Sequence, residues 1–162
     1  APLSWDEVAE GHYVNVWSGA ARVHYLSWGW EGSDAFSPGT LPEGSKGVAL
    51  LIHGVGDFSY RWSLLGPALA RAGYAVLAPD LLGRGRSSAP PEGHTDHTGD
   101  AYVAQIEAFL SATGCTEAPL ALLVGHSMGG GVAALYTAAH PDNVQRLALF
   151  SPAGLMPGGI FR

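Results

Sequence analysis

The sequence contains a single cysteine, Cys115, so no disulfide can form within the chain, and one thiol fits a reducing compartment. Charge is sparse: 14% of the residues are ionic, with eight Lys and Arg against 14 Asp and Glu, for a net charge of −6. Those few cations are scattered rather than striped, which argues against a nucleic-acid surface. No apolar run approaches the length of a membrane span. The opening Ala1-Pro2-Leu3-Ser4-Trp5-Asp6 is not a signal peptide, and it also lacks an initiator methionine, so the start reads as processed or incomplete. His, Cys and carboxylates never cluster at ligand spacing, so no metal and no cofactor are expected. A soluble, cytoplasmic setting is the favoured reading, while compartment and oligomeric state stay open.

What is plentiful is apolar residue and glycine: 47% hydrophobic with 23 glycines in 162 residues. That suits one compact domain, expected to span residues 1–162, rather than a disordered chain. Val14-Asn15-Val16-Trp17 and Arg22-Val23-His24-Tyr25-Leu26 are rich in β-formers, and Ser18 to Ala21 between them suggests an antiparallel hairpin. Glu31 to Lys46, loaded with Gly, Ser and Pro, reads as a surface loop. Four continuous apolar runs follow: Gly47 to Ile52, Ala75 to Ala78, Leu120 to Val124 and Leu147 to Phe150. Runs without alternation are the mark of strands buried on both faces.

Helical spacing separates these runs. Leu64, Leu65, Ala68, Leu69 and Ala72 share one helical face; so do Tyr102, Val103, Ile106, Phe109 and Leu110; so do Met128, Val132, Leu135, Tyr136 and Ala139. Strands alternating with helices imply βαβ units and a mainly parallel sheet covered on both sides. Ligands of such sheets bind outside the carboxyl ends of the strands. The loops that fall there are His53 to Asp57, Pro79 to Gly83, and Gly125-His126-Ser127-Met128-Gly129-Gly130.

The last of these is the most informative. A serine between small residues at a strand-to-helix turn has an exposed hydroxyl, and the helix that follows points free N–H groups at the same spot. The plain alternative is a tight glycine turn with no chemistry. A dinucleotide site is a weaker one, because Gly125 to Gly131 does not fit G-x-G-x-x-G and no P-loop lysine follows. Gly83-Arg84-Gly85-Arg86-Ser87 could suggest phosphate binding through its arginines, although a structural loop beside the site is preferred.

Leu51-Ile52-His53-Gly54, Pro79-Asp80-Leu81-Leu82-Gly83-Arg84-Gly85-Arg86-Ser87 and the serine turn occur in that order, each at the end of an expected strand. Together they resemble the α/β-hydrolase superfamily, in its branch of small esterases, lipases, C–C hydrolases and serine peptidases. The resemblance runs from about Val14 to Phe150. It implies an α/β-hydrolase fold: a mainly parallel sheet with helices on both faces and an N-terminal antiparallel hairpin. It also implies that Ser127 is a nucleophile, that the Met128 and Val55 backbone N–H groups form an oxyanion hole, and that His53, Gly54, His126, Gly125 and Gly129 support them. Two such donors are each worth about 3–4 kcal/mol to a transition state. The family's epoxide hydrolases and haloalkane dehalogenases carry an aspartate at this turn, and a serine at 127 argues against both. A small ester-type substrate is the expectation, with amide, acylglycerol and C–C bond cleavage left open.

The partners of a serine nucleophile are missing. In this fold the acid and the histidine follow the serine in the chain. After Ser127 come only Asp142 and His140, and 13 residues of helix put His140 about 20 Å away. His126 is expected to pack inward or against the neighbouring loop, and His53 to shape the oxyanion loop; His94 and His97 lie in a polar stretch. Some family members carry the acid just after the next strand, where this chain has Ser151-Pro152-Ala153. Asp57 and Asp80 precede the serine and match family positions that are normally structural or supporting, with Asp57 close enough to the oxyanion loop to influence it. The chain therefore reads as the front part of a hydrolase, incomplete at its C-terminus, with the last strand left as an exposed apolar edge.

Overall fold

A computed structural model describes residues 10–30, 40–94 and 97–154. The expectations for the opening hexapeptide, for residues 31–39 of the Gly/Ser/Pro-rich stretch and for residues 155–162 lie outside these. Residues 40–47 form neither helix nor strand.

Six strands make one sheet: β1 (Glu10–Val16), β2 (Ala21–Trp28), β3 (Val48–Ile52), β4 (Ala75–Pro79), β5 (Leu122–His126) and β6 (Leu147–Phe150), in the spatial order β1-β2-β4-β3-β5-β6. β1 and β2 form the antiparallel hairpin, β2 joins β4 antiparallel, and β4, β3, β5 and β6 run parallel. The hairpin turn holds Trp17 and Ser18 at positive φ, so Trp17 belongs to the turn and not to the strand. Leu120, expected at the start of β5, makes only an isolated bridge to Val144.

The helices are α1 (Leu65–Arg71), α2 (Gly99–Ala112) and α3 (Met128–Ala139). Because successive side chains of a strand face opposite ways, β3 serves two cores at once. Leu50 and Ile52 join Leu77, Leu123, Ile106, Phe109 and Val132 under α2 and α3. Ala49 and Leu51 join Val76, Ala78, Val124 and Trp62, with Leu65 and Leu69 of α1 packed on them. Burial on both faces is why β3 and β4 are apolar throughout; burying each Leu or Ile side chain contributes about 1.5–3 kcal/mol. β6 is different. It pairs with β5, and Leu147, Leu149 and Phe150 stay exposed at the sheet edge. No helix among the described residues is long and apolar enough to cross a membrane.

Candidate active site

The parallel strands β3, β4, β5 and β6 end on one side of the sheet, and the four segments that follow them lie there. Ser127 occupies the turn between β5 and α3 with φ 53° and ψ −119°, a conformation that L-residues rarely adopt. Strain of this kind, about 1–3 kcal/mol, persists only where the surroundings over-determine it. The surroundings do. Ser127 N–H donates to Phe150 O at 2.9 Å, and Ser127 O accepts from Gly130, Gly131 and Ala153 at 2.9, 3.2 and 2.8 Å. The turn is thereby clamped between the end of β6 and the first turn of α3.

The glycines around it permit the close approach. A Cβ on Gly125 would stand 2.3 Å from Gly129 O, and one on Gly129 would stand 2.3 Å from Ile52 O and 2.4 Å from His53 O. A Cβ on Gly54 would press on His126 Nδ1 and Ser127 Cβ at 3.0 and 3.1 Å. α3 thus starts so near β3 that only glycine fits. The Ser127 side chain makes no capping bond to its own helix.

Opposite the serine, Asp57 N–H donates to Gly54 O at 3.3 Å and closes a turn that has Val55 and Gly56 at its centre, Gly56 with φ +72°. Val55 is exposed at the tip. Among the described residues no acceptor takes up the N–H of Val55 or of Met128. His53 underpins this turn. Fully buried, it donates from Nδ1 to Gly54 O at 2.8 Å and accepts Leu81 N–H on Nε2 at 3.0 Å. Both ring nitrogens are occupied in the neutral form. Burial lowers its pKa, against the raising influence of Gly54 O and of Asp80 and Asp57.

A pair that sequence inspection passed over lies one layer below. His24 of β2 donates from Nδ1 to Asp80 Oδ2 at 2.8 Å, and both side chains are buried. Asp80 also accepts Ser59 N–H at 2.6 Å and Arg86 N–H at 2.8 Å, so one carboxylate joins the hairpin, the segment after the Val55 turn and the Gly83–Ser87 loop. That loop therefore has a structural bond to hold. The signal for it is thin: 56 residues separate His24 from Asp80, and no spacing rule connects them.

Burial alone would raise the Asp80 pKa, but His24 and the Arg86 and Ser59 N–H groups outweigh it and hold the carboxyl below its usual value. The stability it lends is complete above pH about 4, the ordinary carboxylate value. It is lost as pH falls through the lower folded-state value. Asp80→Asn is expected to cost about 3 kcal/mol at pH 7, because a buried charge network loses one member. Urea unfolding at pH 7 and at pH 3 checks this: the gap between wild type and variant narrows at pH 3.

The remaining histidines are engaged with other partners. His12 stacks on Tyr25, His94 on Trp17, and His97 Nδ1 meets Tyr102 Oη at 3.1 Å. His140, at the far end of α3, meets Glu107 Oε1 at 2.6 Å. His126 lies against the neighbouring loop, with Nε2 at 3.2 Å from an Arg61 amino group. Among the described residues no imidazole or carboxylate hydrogen-bonds to Ser127 Oγ. Arg61 is a further residue that sequence inspection missed, since it lies in no motif.

A mostly parallel sheet thus ends in a strained serine turn beside a glycine-closed loop. A sequence profile of the alpha/beta hydrolase fold matches residues 48–160. The chain belongs to the α/β-hydrolase family. It is 41% identical over 123 residues to "Lipase LipV" of Mycobacterium tuberculosis, covering 75% of this chain and 42% of that protein. It is 31% identical over 156 residues to "Bifunctional epoxide hydrolase 2" of Rattus norvegicus, covering 96% of this chain and 24% of that protein. The crystal structure of a membrane phospholipase A, described as a bacterial virulence factor, superposes with a TM-score of 0.72 at 33% identity, covering 92% of this chain and 41% of that one. The chain spans between 23% and 42% of the length of such curated relatives. This α/β-hydrolase chain thus shares its fold with a family of hydrolases.

Proposed function

We propose that this chain carries the nucleophile and oxyanion portion of a serine hydrolase that cleaves a carboxylic ester. The observation that carries the proposal is the Ser127 backbone, held at φ 53° and ψ −119° where a strand passes into a helix. In the proposed reaction Ser127 Oγ attacks the ester carbonyl and forms a C–O bond while its proton passes to a histidine. The tetrahedral oxyanion is held by the Val55 and Met128 N–H groups, two fixed dipoles that need no reorganisation. The carbonyl reforms as the alcohol leaves with the histidine's proton, and water then cleaves the acyl-enzyme.

The acid and the histidine are proposed to come from further residues of a longer protein, of which this chain is a single α/β core portion. The fraction of each relative that the chain covers supports this, as does the lack of an imidazole partner for Ser127 among the described residues. That same lack favours a second reading, in which the chain on its own is a non-catalytic fragment or a ligand-binding module, since an unassisted serine hydroxyl is a weak nucleophile at neutral pH. Similarity to a lipase supports an ester substrate. Similarity to an epoxide hydrolase raises epoxide opening, which the serine at position 127 disfavours. The test is turnover of p-nitrophenyl esters and of an aryl epoxide by the longer protein. Ester hydrolysis that disappears in Ser127→Ala is expected; epoxide opening without ester hydrolysis would refute the proposal.

A further inference from the structure

Arg61 is a surface residue in the 3-10 turn Ser59–Trp62, 41% exposed, and its pairing with Asp57 four residues earlier is of a kind that contributes little by itself. Its second contact makes it unusual. One guanidinium nitrogen donates to Asp57 Oδ2 at 3.0 Å, while the other reaches across 65 residues of sequence to His126 Nε2 at 3.2 Å. Asp57 closes the turn that presents Val55, and His126 directly precedes Ser127. A continuous chain of contacts therefore runs from the Val55 turn through Asp57, Arg61 and His126 to the serine turn.

Resting on the hydrolase reading above, we infer that Arg61 is a positioning residue. It fastens the loop presenting the Val55 N–H to the turn presenting Ser127 and the Met128 N–H, with His126 as its acceptor. Guanidinium can only donate, so His126 Nε2 must carry a lone pair, and the neutral ring then has its proton on Nδ1. That Nδ1 is buried against Gly54 with no partner among the described residues. His126 is consequently committed to Arg61 and is not the base that Ser127 needs. Burial lowers the His126 pKa first, then the Arg61 charge, against the raising influence of Asp57; Arg61 and Asp57 are the charged groups facing it. Protonation of His126 would turn the acceptor into a donor facing a cation and open the link. The link is therefore present above the ordinary histidine range and lost as pH falls through the depressed value.

A bridge that sets the distance between two oxyanion donors acts on the transition state more than on substrate binding. Small misplacements of catalytic groups cost about tenfold to a hundredfold. Arg61→Gln is expected to lower kcat about tenfold with KM nearly unchanged, and Arg61→Lys, which lacks the two-pronged fork, to recover only part of it. In a double-mutant cycle with His126→Asn the losses should not add, because both variants cut the same link. Additive losses of about a hundredfold would overturn the inference.

A measurement without turnover separates the bridge from the hydrolase assignment. Nitrogen NMR of the ¹⁵N-histidine-labelled protein should show His126 protonated on Nδ1 and titrating below the ordinary histidine value, and Arg61→Gln should move that titration upward. An Nε2-protonated ring, or a titration indifferent to Arg61→Gln, overturns the bridge even in an active enzyme. Activity that survives Ser127→Ala overturns the hydrolase reading and leaves the NMR result standing.

Discussion

Gly129→Ala is expected to destabilise the protein by about 3 kcal/mol, the upper part of the range for overpacking a tight interior site. Two effects oppose each other at this position. Alanine in a helix is worth about 1 kcal/mol more than glycine, and α3 opens with Met128 followed by three glycines, a poor start for a helix. Against that gain, the new Cβ would stand 2.3 and 2.4 Å from the carbonyl oxygens of Ile52 and His53, at the end of the buried central strand β3. No rotamer change can relieve a clash between backbone and Cβ, so sterics win. The same holds for Gly125→Ala, whose Cβ would meet the Gly129 backbone at 2.3 Å. Gly130→Ala is expected to cost less, because its Cβ would stand 2.8 Å from Pro152 Cβ and 2.9 Å from Pro152 Cα, a shallower overlap than the 2.3 Å approaches at Gly125 and Gly129. Urea midpoints of the three variants give the ranking directly.

The second large effect separates stability from activity at one residue. Ser127→Ala keeps the Cβ, and with it the strained φ, so stability should change by less than about 0.5 kcal/mol. Ester hydrolysis by the longer protein should fall by about 10⁴- to 10⁶-fold, as when other serine hydrolases lose their nucleophile. Ser127→Gly should be equally inactive yet more stable than wild type by about 1 kcal/mol, since glycine adopts φ 53° without penalty. A serine retained at a position where glycine is more stable is one kept for its hydroxyl. If Ser127→Gly is less stable than Ser127→Ala, the strain argument fails.

Much of this architecture was legible in the sequence. β3, β4 and most of β5 are continuous apolar runs because both faces of the sheet are covered, and Gly125 and Gly129 stand where backbone contacts leave no room for a side chain. The hairpin is legible but its extent is not: Glu10, Gly11 and His12 extend β1 through pairing with Ser27, Leu26 and Tyr25, partners that no local pattern announces. The links between His24 and Asp80 and between Arg61 and His126 were invisible for the same reason. Each joins side chains more than 50 residues apart, on elements brought together only by the sheet order. Periodicity reports which face of an element is buried; it does not report which polar groups meet at the ends of the strands.

The most direct test is to treat the longer protein with a fluorophosphonate at neutral pH and identify the modified residue by peptide mass. The account predicts rapid stoichiometric labelling at Ser127, and labelling of the 162-residue chain alone slower by orders of magnitude for want of a base. Modification at any other residue, or a Ser127 that remains unmodified in the longer protein, would contradict it.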